Sequence, residues 1–222
     1  MSKEIRLKKG LTINLVGDAD KVYASIKPTD IAAKYVLKPT DFHGLTPKLT
    51  VKIGDKVKAG TSLFFDKANE KVQFCSPVSG EVINIIRGAK RKILEVVIKA
   101  DNEIVYESFD IESSKNLSRE QIIDKMLQAG IWPFIRQKPY DIIANPNDIP
   151  KAIFISAFKS GPLAIDNDFA LYGMDELFQS GLDIISKLTN GKTHLNLDGN
   201  TNSSKVFSDA QGVDLNSFSG PH

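Results

Sequence analysis

A chain of 222 residues has room for one large or two small domains with a real core. Its 29 lysines and arginines nearly balance 27 aspartates and glutamates, so a net charge of +2 gives the chain as a whole no electrostatic reason to prefer nucleic acid or anionic lipid. The single cysteine, Cys75, excludes an intramolecular disulfide framework or a cysteine-ligated iron–sulfur cluster within the chain; the three histidines, His43, His194 and His222, show no metal-ligand spacing, and no metal site is expected.

The chain opens with Ile5 to Leu11, where Lys3, Glu4, Arg6, Lys8 and Lys9 surround isolated apolar residues, unlike the apolar core of a signal peptide. The longest apolar run, Ala152 to Phe158 broken by Ser156, is far shorter than the ~20 residues of a bilayer span. A soluble chain on the cytoplasmic side is expected.

Tyr35 to Gly44 and a corner at Pro47 lead into a β-rich stretch that runs to Lys99. Its first half alternates Val51, Ile53 and Val57 with lysines, breaks at Gly54-Asp55 and Gly60, and runs into Leu63-Phe64-Phe65. Its second half gives strands over Val72 to Cys75, Val82 to Ile86 and Ile93 to Ile98, with a basic hairpin tip from Arg87 to Lys92. Short strands with glycine-marked corners predict a small closed β-fold that hides its edges, and Cys75, on an apolar strand, is expected to be packed and inert. A last strand is expected around Ile104 to Tyr106, then a polar linker through Ser113-Ser114-Lys115-Asn116, which divides the chain into domains 1–112 and 113–222.

Ser118-Arg119-Glu120-Gln121 fits a capping box for a helix that carries Ile122, Ile123, Met126 and Leu127 on one face and ends at Gly130. Beyond Pro150, Ala152 to Ala157 is too uniformly apolar for an exposed sheet face and predicts a buried strand. The loop Lys159-Ser160-Gly161-Pro162, a cap cluster at Asp166-Asn167-Asp168, a helix with Leu177, Phe178, Leu182, Ile185 and Leu188, and a strand with Thr193, Leu195 and Leu197 complete a βαβ unit of a parallel sheet. The fold class is mixed α/β: a β-domain followed by a Rossmann-like domain. No G-x-G-x-x-G, P-loop or G-x-S-x-G accompanies it, so neither a dinucleotide site nor a catalytic residue is expected.

The pattern V-K-I-G-D-K-V-x-x-G-x-x-L followed by S-P-V-S-G-E-V resembles the barrel-sandwich hybrid module of lipoyl and biotinyl carriers. In those carriers a lysine at a hairpin tip takes the prosthetic group, and Asp66-Lys67-Ala68 resembles the lipoyl D-K-A signature. Phe64-Phe65 stand where Glu-Thr normally precede it, and the tip itself is expected near Asn69-Glu70, beyond Lys67. The same module also serves unmodified as a structural head.

The order K-K-G-L, V-K-I-G-D-K-V, S-P-V-S-G-E-V, R-G-A-K-R and G-I-W-P-F-I-R-Q-K-P, from Lys8 to His222, resembles the A subunit of the bacterial sodium-translocating NADH:quinone oxidoreductase. The ending Ser219-Gly220-Pro221-His222 resembles the start of a longer family stretch, which implies an N-terminal portion with a truncated Rossmann-like domain. More distant relatives, the flavin- and NADH-binding subunit of complex I and the C subunit of the Rnf complex, carry a flavin-cradling glycine-rich loop where this chain has Gly130-Ile131-Trp132-Pro133-Phe134. The resemblance therefore implies a peripheral cytoplasmic subunit that binds no cofactor. FMN, FAD, riboflavin and a 2Fe-2S centre belong to partner subunits, which also make the membrane contact, and quinone is the substrate. Quinone binding needs a flat apolar slot with donors to the carbonyls. Phe42, His43, Trp132, Phe134 and Arg136 are the candidates, in a cleft where the two domains meet. The alternatives are a carrier module with Lys67 as acceptor and a purely structural docking subunit.

Overall fold

The computed structural model describes residues 3–13, 15–17, 20–22, 34–109, 116–158, 161, 163–201 and 203–221. The expected boundary at 112/113, the linker residues Ser113 to Lys115, the loop residues Lys159, Ser160 and Pro162, and His222 lie outside them. Two compact units emerge. One gathers Ala24–Glu112 and Glu120–Asp148; the other gathers Met1–Tyr23, Ser113–Arg119 and Ile149–His222.

Besides a two-stranded pair over 136–143, the β-unit holds two larger antiparallel sheets. In the first the order is β2 (Lys34–Leu37), β8 (Ile93–Ala100), β7 (Gly80–Arg87) and β4 (Lys56–Val57); in the second it is β3 (Pro47–Leu49), β5 (Ser62–Asp66) and β6 (Asn69–Cys75). Val82, Val96 and Ile98 of one sheet and Leu63, Phe64, Val72 and Phe74 of the other lie in the core, none more than 2% exposed; alternation accounts for all but the adjacent Leu63 and Phe64, which are both buried where the β5–β6 register shifts. Gly80 lets β7 approach β8: a Cβ there would sit 2.0 Å from the Lys99 carbonyl oxygen.

Three expectations for this unit need correction. Val51 to Ile53 is not strand: Asp55 Oδ2 accepts from Lys52 N at 3.0 Å and Gly54 N reaches Val82 O at 2.8 Å, which turns the chain and leaves Ile53 58% exposed. The strand expected at Ile104 to Tyr106 shrinks to a parallel bridge between Ala59 and Tyr106, held by Ala59 N to Val105 O and Glu107 N to Ala59 O. The β5–β6 hairpin turns at Lys67-Ala68, with Asp66 opposite Asn69, so Lys67 stands at the tip rather than short of it. Asp66 makes that turn by accepting Ala68 N at 3.1 Å.

After the linker, α1 (Arg119–Gln128) buries Ile122, Ile123 and Leu127 as its spacing predicts. The helix ends in a left-handed Gly130 (φ +69°), with Ile131 N donating back to Met126 O at 3.0 Å. Gly130 lies against β6, where a Cβ would fall 2.6 Å from Cys75 Sγ. Burial, with Glu107 contributing, pushes the Cys75 thiol up to about 11, which keeps it protonated and unreactive at neutral pH.

The α/β unit is built on a parallel sheet in the order β1 (Lys3–Arg6), β13 (Asp214–Ser219), β12 (Lys192–Asp198) and β11 (Ala152–Ser156). Its helices are α2 (Asn167–Ala170), α3 (Asp175–Ser186) and α4 (Lys205–Ser208). The crossover from β11 through α3 to a parallel β12 is the βαβ unit read from the sequence. Leu195, Val206 and Phe207 form the core, with Ile155, Phe178, Leu197 and Leu215 packed against it.

Here too the structure differs from expectation. β1 belongs to this sheet, not to the barrel: Ile5 is in register with Phe218, and Leu7 N bonds to Ser219 O at 2.8 Å. Only one face of β11 is covered: Ile153 and Ile155 are partly buried while Phe154 on the other face is 69% exposed, stacked on His194 at 4.8 Å. Asp166 caps α2 as its position predicts, accepting Phe169 N at 3.0 Å, and the Lys21 ammonium beside it holds its carboxyl below the usual carboxylate range.

Gly130→Ala combines a left-handed alanine, about 1–2 kcal/mol, with overlap at Cys75, so it is expected to cost about 2 kcal/mol or more in urea unfolding. An unchanged midpoint would show that α1 does not close on β6 as described.

Candidate functional site

The loop after β2 and the segment after α1 meet within the β-unit. A 3-10 turn at Pro39–Asp41 delivers Phe42, His43 and the left-handed Gly44, and a second at Trp132–Phe134 follows Gly130. The strand pair β9 (Arg136–Gln137) and β10 (Ile142–Ile143) follows directly. The seam is aromatic. Fully buried Phe64 stacks on Phe74 with centroids 4.8 Å apart; Phe74 meets the edge of Phe42 at 4.7 Å; Phe42 meets Phe134 at 6.3 Å. Edge-to-face contacts of this kind hold ring orientation as well as area. Along this row exposure rises from 0% at Phe64 to 73% at Phe134. A ladder of rings therefore runs from the barrel core to a half-buried Phe42 and an exposed Phe134.

The five expected site residues divide accordingly. Phe42 and Phe134 come together and keep accessible ring surface. His43 is exposed on the same loop, and a Cβ on its neighbour Gly44 would lie 3.9 Å from Ile142 Cγ2, so the loop borders β10. Trp132 does not offer a ring face: it is 3% exposed, and its indole N–H is spent on Ala144 O at 2.7 Å. Its role is to pin the returning chain at Ala144 under the exposed Phe134. Arg136 is tied to the turn of its own hairpin, where Nη2 donates to Asp141 O and lies 3.4 Å from the Asp141 carboxylate. Hydrogen bonding from Lys138, with the Arg136 charge adding, holds the Asp141 carboxyl below its usual range. One donor of Arg136, Nε, is buried with no partner.

This arrangement lies inside one compact unit, since both segments fall within Ala24–Glu112 and Glu120–Asp148. The expected cleft between domains is thus replaced by an open aromatic step on the β-unit. A groove of about 430 Å³ elsewhere on the same unit is lined by Glu70, Lys71, Gln73, Asp124, Leu127 and Gln128, with none of the five residues. Phe74 and Ala144, which support the step, were not singled out from the sequence. The alternation that buries Phe74 beside Phe64 was legible, but its contact with Phe42, 32 positions away in the chain, was not.

Other features fall outside any site. Lys67 is exposed at the β5–β6 tip, with its backbone N–H donated to Thr46 O at 2.9 Å. Asp168 accepts Ser204 N at 2.6 Å and joins two loops of the α/β unit. Among the described residues no group of three His, Cys, Asp or Glu is placed to hold a metal, and no helix is long and apolar enough to cross a membrane.

Comparison with known proteins divides the chain by sequence order, and its second part takes in the segment Glu120–Asp148 that the structure gathers with the β-unit. The model of the NqrA N-terminal barrel-sandwich hybrid domain matches residues 5–101, and that of the NqrA second alpha/beta domain matches residues 117–222. The chain is 34% identical over 220 residues to the Na(+)-translocating NADH-quinone reductase A subunit of Vibrio vulnificus (strain YJ016), a match that covers 98% of this chain and 48% of that protein. The same coverage holds for the A subunits of Photorhabdus laumondii, at 34% identity, and Vibrio anguillarum, at 33%. The chain thus spans about half the length of the curated relatives it matches. With both domain models matched in order and this identity along nearly its whole length, the chain belongs to the NqrA family, the A subunits of the Na(+)-translocating NADH-quinone reductases.

Proposed function

We propose that this chain serves as part of the peripheral A subunit on the cytoplasmic side of a sodium-translocating NADH:quinone reductase, where it assembles with the other subunits and contacts quinone. The redox groups, FMN, FAD, riboflavin and a 2Fe-2S centre, reside in partner subunits. The contribution of this chain is to bind and orient the quinone ring. One observation carries the quinone part: the Phe42–Phe134 step is the place where the aromatic ladder of the barrel reaches the surface.

Two rings 6.3 Å apart between centroids and inclined by 63° offer an apolar corner against which a quinone ring can pack. The accessible donor near this corner in sequence is the exposed His43 imidazole, which suits a quinone carbonyl oxygen; Arg136 Nε is buried and does not open onto it. Quinone reduction takes up two electrons and two protons, and on this reading the electrons come from the groups in partner subunits. The protein's share is therefore position and a hydrogen bond to the carbonyl.

Trp132 is the only tryptophan and lies two residues from Phe134, so its emission reports on the step. Titration with a short-chain quinone is expected to quench it saturably, with affinity about three- to tenfold weaker in Phe134→Ala, the loss of one ring contact. Phe134 is exposed, so that variant leaves the fold intact. A flat or purely collisional response in the wild type would remove quinone contact from the role of this chain.

Acyl carriage is the second reading, favoured by the place of Lys67 at the hairpin tip. Intact mass of the 24.4 kDa chain isolated from its own cell is expected to show no adduct. A lipoyl or biotinyl increment that disappears in Lys67→Ala would establish the carrier instead.

A further inference from the structure

The β7–β8 hairpin carries Arg87, Lys90, Arg91 and Lys92 within six residues. All four are exposed, and among the described residues none forms an ion pair. Several surface lysines elsewhere on the same unit are compensated, Lys38 by Glu95 at 3.9 Å, Lys56 by Glu81 at 3.0 Å, Lys58 by Glu107 at 3.5 Å and Lys71 by Asp124 at 3.8 Å; others such as Lys52 and Lys67 are not, among the described residues, but they stand singly. The near-zero net charge of the chain therefore conceals a concentrated positive tip.

The tip is also built to project. β4 pairs only with Gly80 and Glu81, and β2 only with Val96 to Lys99, so the last rungs, Ile86 with Glu95 and Arg87 with Ile93, have no flanking strand. Beyond them a 3-10 turn at Ala89–Arg91 places Lys90 (φ 53°) and Arg91 (φ 60°) in consecutive left-handed conformations. Glycine would adopt these without steric cost, yet two long cationic side chains stand there. Arg87 Nη1 donates to Arg91 O at 3.3 Å and ties the turn to the ribbon, while Ile86, 38% exposed, gives it an apolar flank.

We propose that this basic prong docks on an anionic bilayer surface, its four cations meeting lipid phosphates. Four exposed cations gathered on one hairpin tip suit a flat, laterally mobile array of phosphates. A folded acidic protein would have to present a matching concavity, and a nucleic acid would draw on a wider basic field than a chain of net charge +2 supplies. The inference is independent of the quinone reading, because the prong shares none of its residues with the Phe42–Phe134 step.

Co-sedimentation of the full chain with phosphatidylcholine vesicles, with and without phosphatidylglycerol, tests it at low and high salt. Binding is expected only to the anionic vesicles and is expected to be released by salt. A cation near such a surface contributes roughly fivefold in partitioning, so Lys90→Gly combined with Arg91→Gly should weaken binding about 25-fold. Those glycines relieve the left-handed backbone, so an unchanged or raised urea midpoint accompanies the loss; Lys92→Gln, with no backbone change, should weaken binding about fivefold. Failure of the wild type to bind anionic vesicles, equal binding by the glycine variant, or a preference for polyglutamate or duplex DNA over the vesicles would overturn the proposal.

Discussion

The contact on which the β-unit turns is that of Phe74, which stacks on Phe64 within its own sheet and meets the edge of Phe42 from the entry loop. Phe74 is buried with Val72 by strand alternation, and Phe64 opposite it is buried with its neighbour Leu63 at a register shift, all to within 2%. Phe42 is not part of that alternation; it is recruited from outside the sheets, and with it comes the His43-Gly44 loop. The same β6 strand receives the end of α1, where only a glycine fits against Cys75. One strand thus organises two segments that lie far apart in the chain, and the exposed Phe134 is positioned as a consequence.

This has a bearing on what a member of this family does with a barrel-sandwich module. In the β-unit the hairpin tip at Lys67-Ala68 is exposed and plain, whereas aromatic surface has been added along β6. The added surface is rigidly backed: Trp132 is buried and its N–H fixed on Ala144, and Arg136 is fastened to Asp141 across the β9–β10 turn. A ledge held in this way can orient a flat ring or a partner's side chain without itself rearranging. The α/β unit, by contrast, keeps a polar layer on one sheet face, where Asn216 bridges Asn196 and His194.

Much of this was legible in the sequence, where period and punctuation agreed. Val82, Val96 and Ile98 alternate, the helix face of Ile122, Ile123 and Leu127 repeats at helical spacing, and Asp166 caps as a turn-forming aspartate should. What was not legible came from tertiary choice. Lys3–Arg6 has no marked pattern of its own and becomes a strand only because β13 offers an edge. Ile53 fits an alternating strand but is overruled by the Gly54-Asp55 turn. Ala152 to Ser156 reads as fully buried because apolarity does not say whether both faces of a strand are covered, and here the Phe154 face is open. Among the site residues, the meeting of Phe42 with Phe134 followed from their aromatic character; the burial of Trp132 followed from a carbonyl that no local signal announces.

Above all, the segment after the linker, Glu120–Asp148, folds with the barrel and not with the sheet that follows it in the chain. Native-state hydrogen exchange in low urea tests this directly, because amides that open together share one free energy and one urea dependence. The amides of Ile122, Ile123, Leu127 and Trp132 should merge with those of Phe64, Phe74 and Ile98. Merging instead with those of Ile155, Leu195 and Leu215 would contradict this division of the chain.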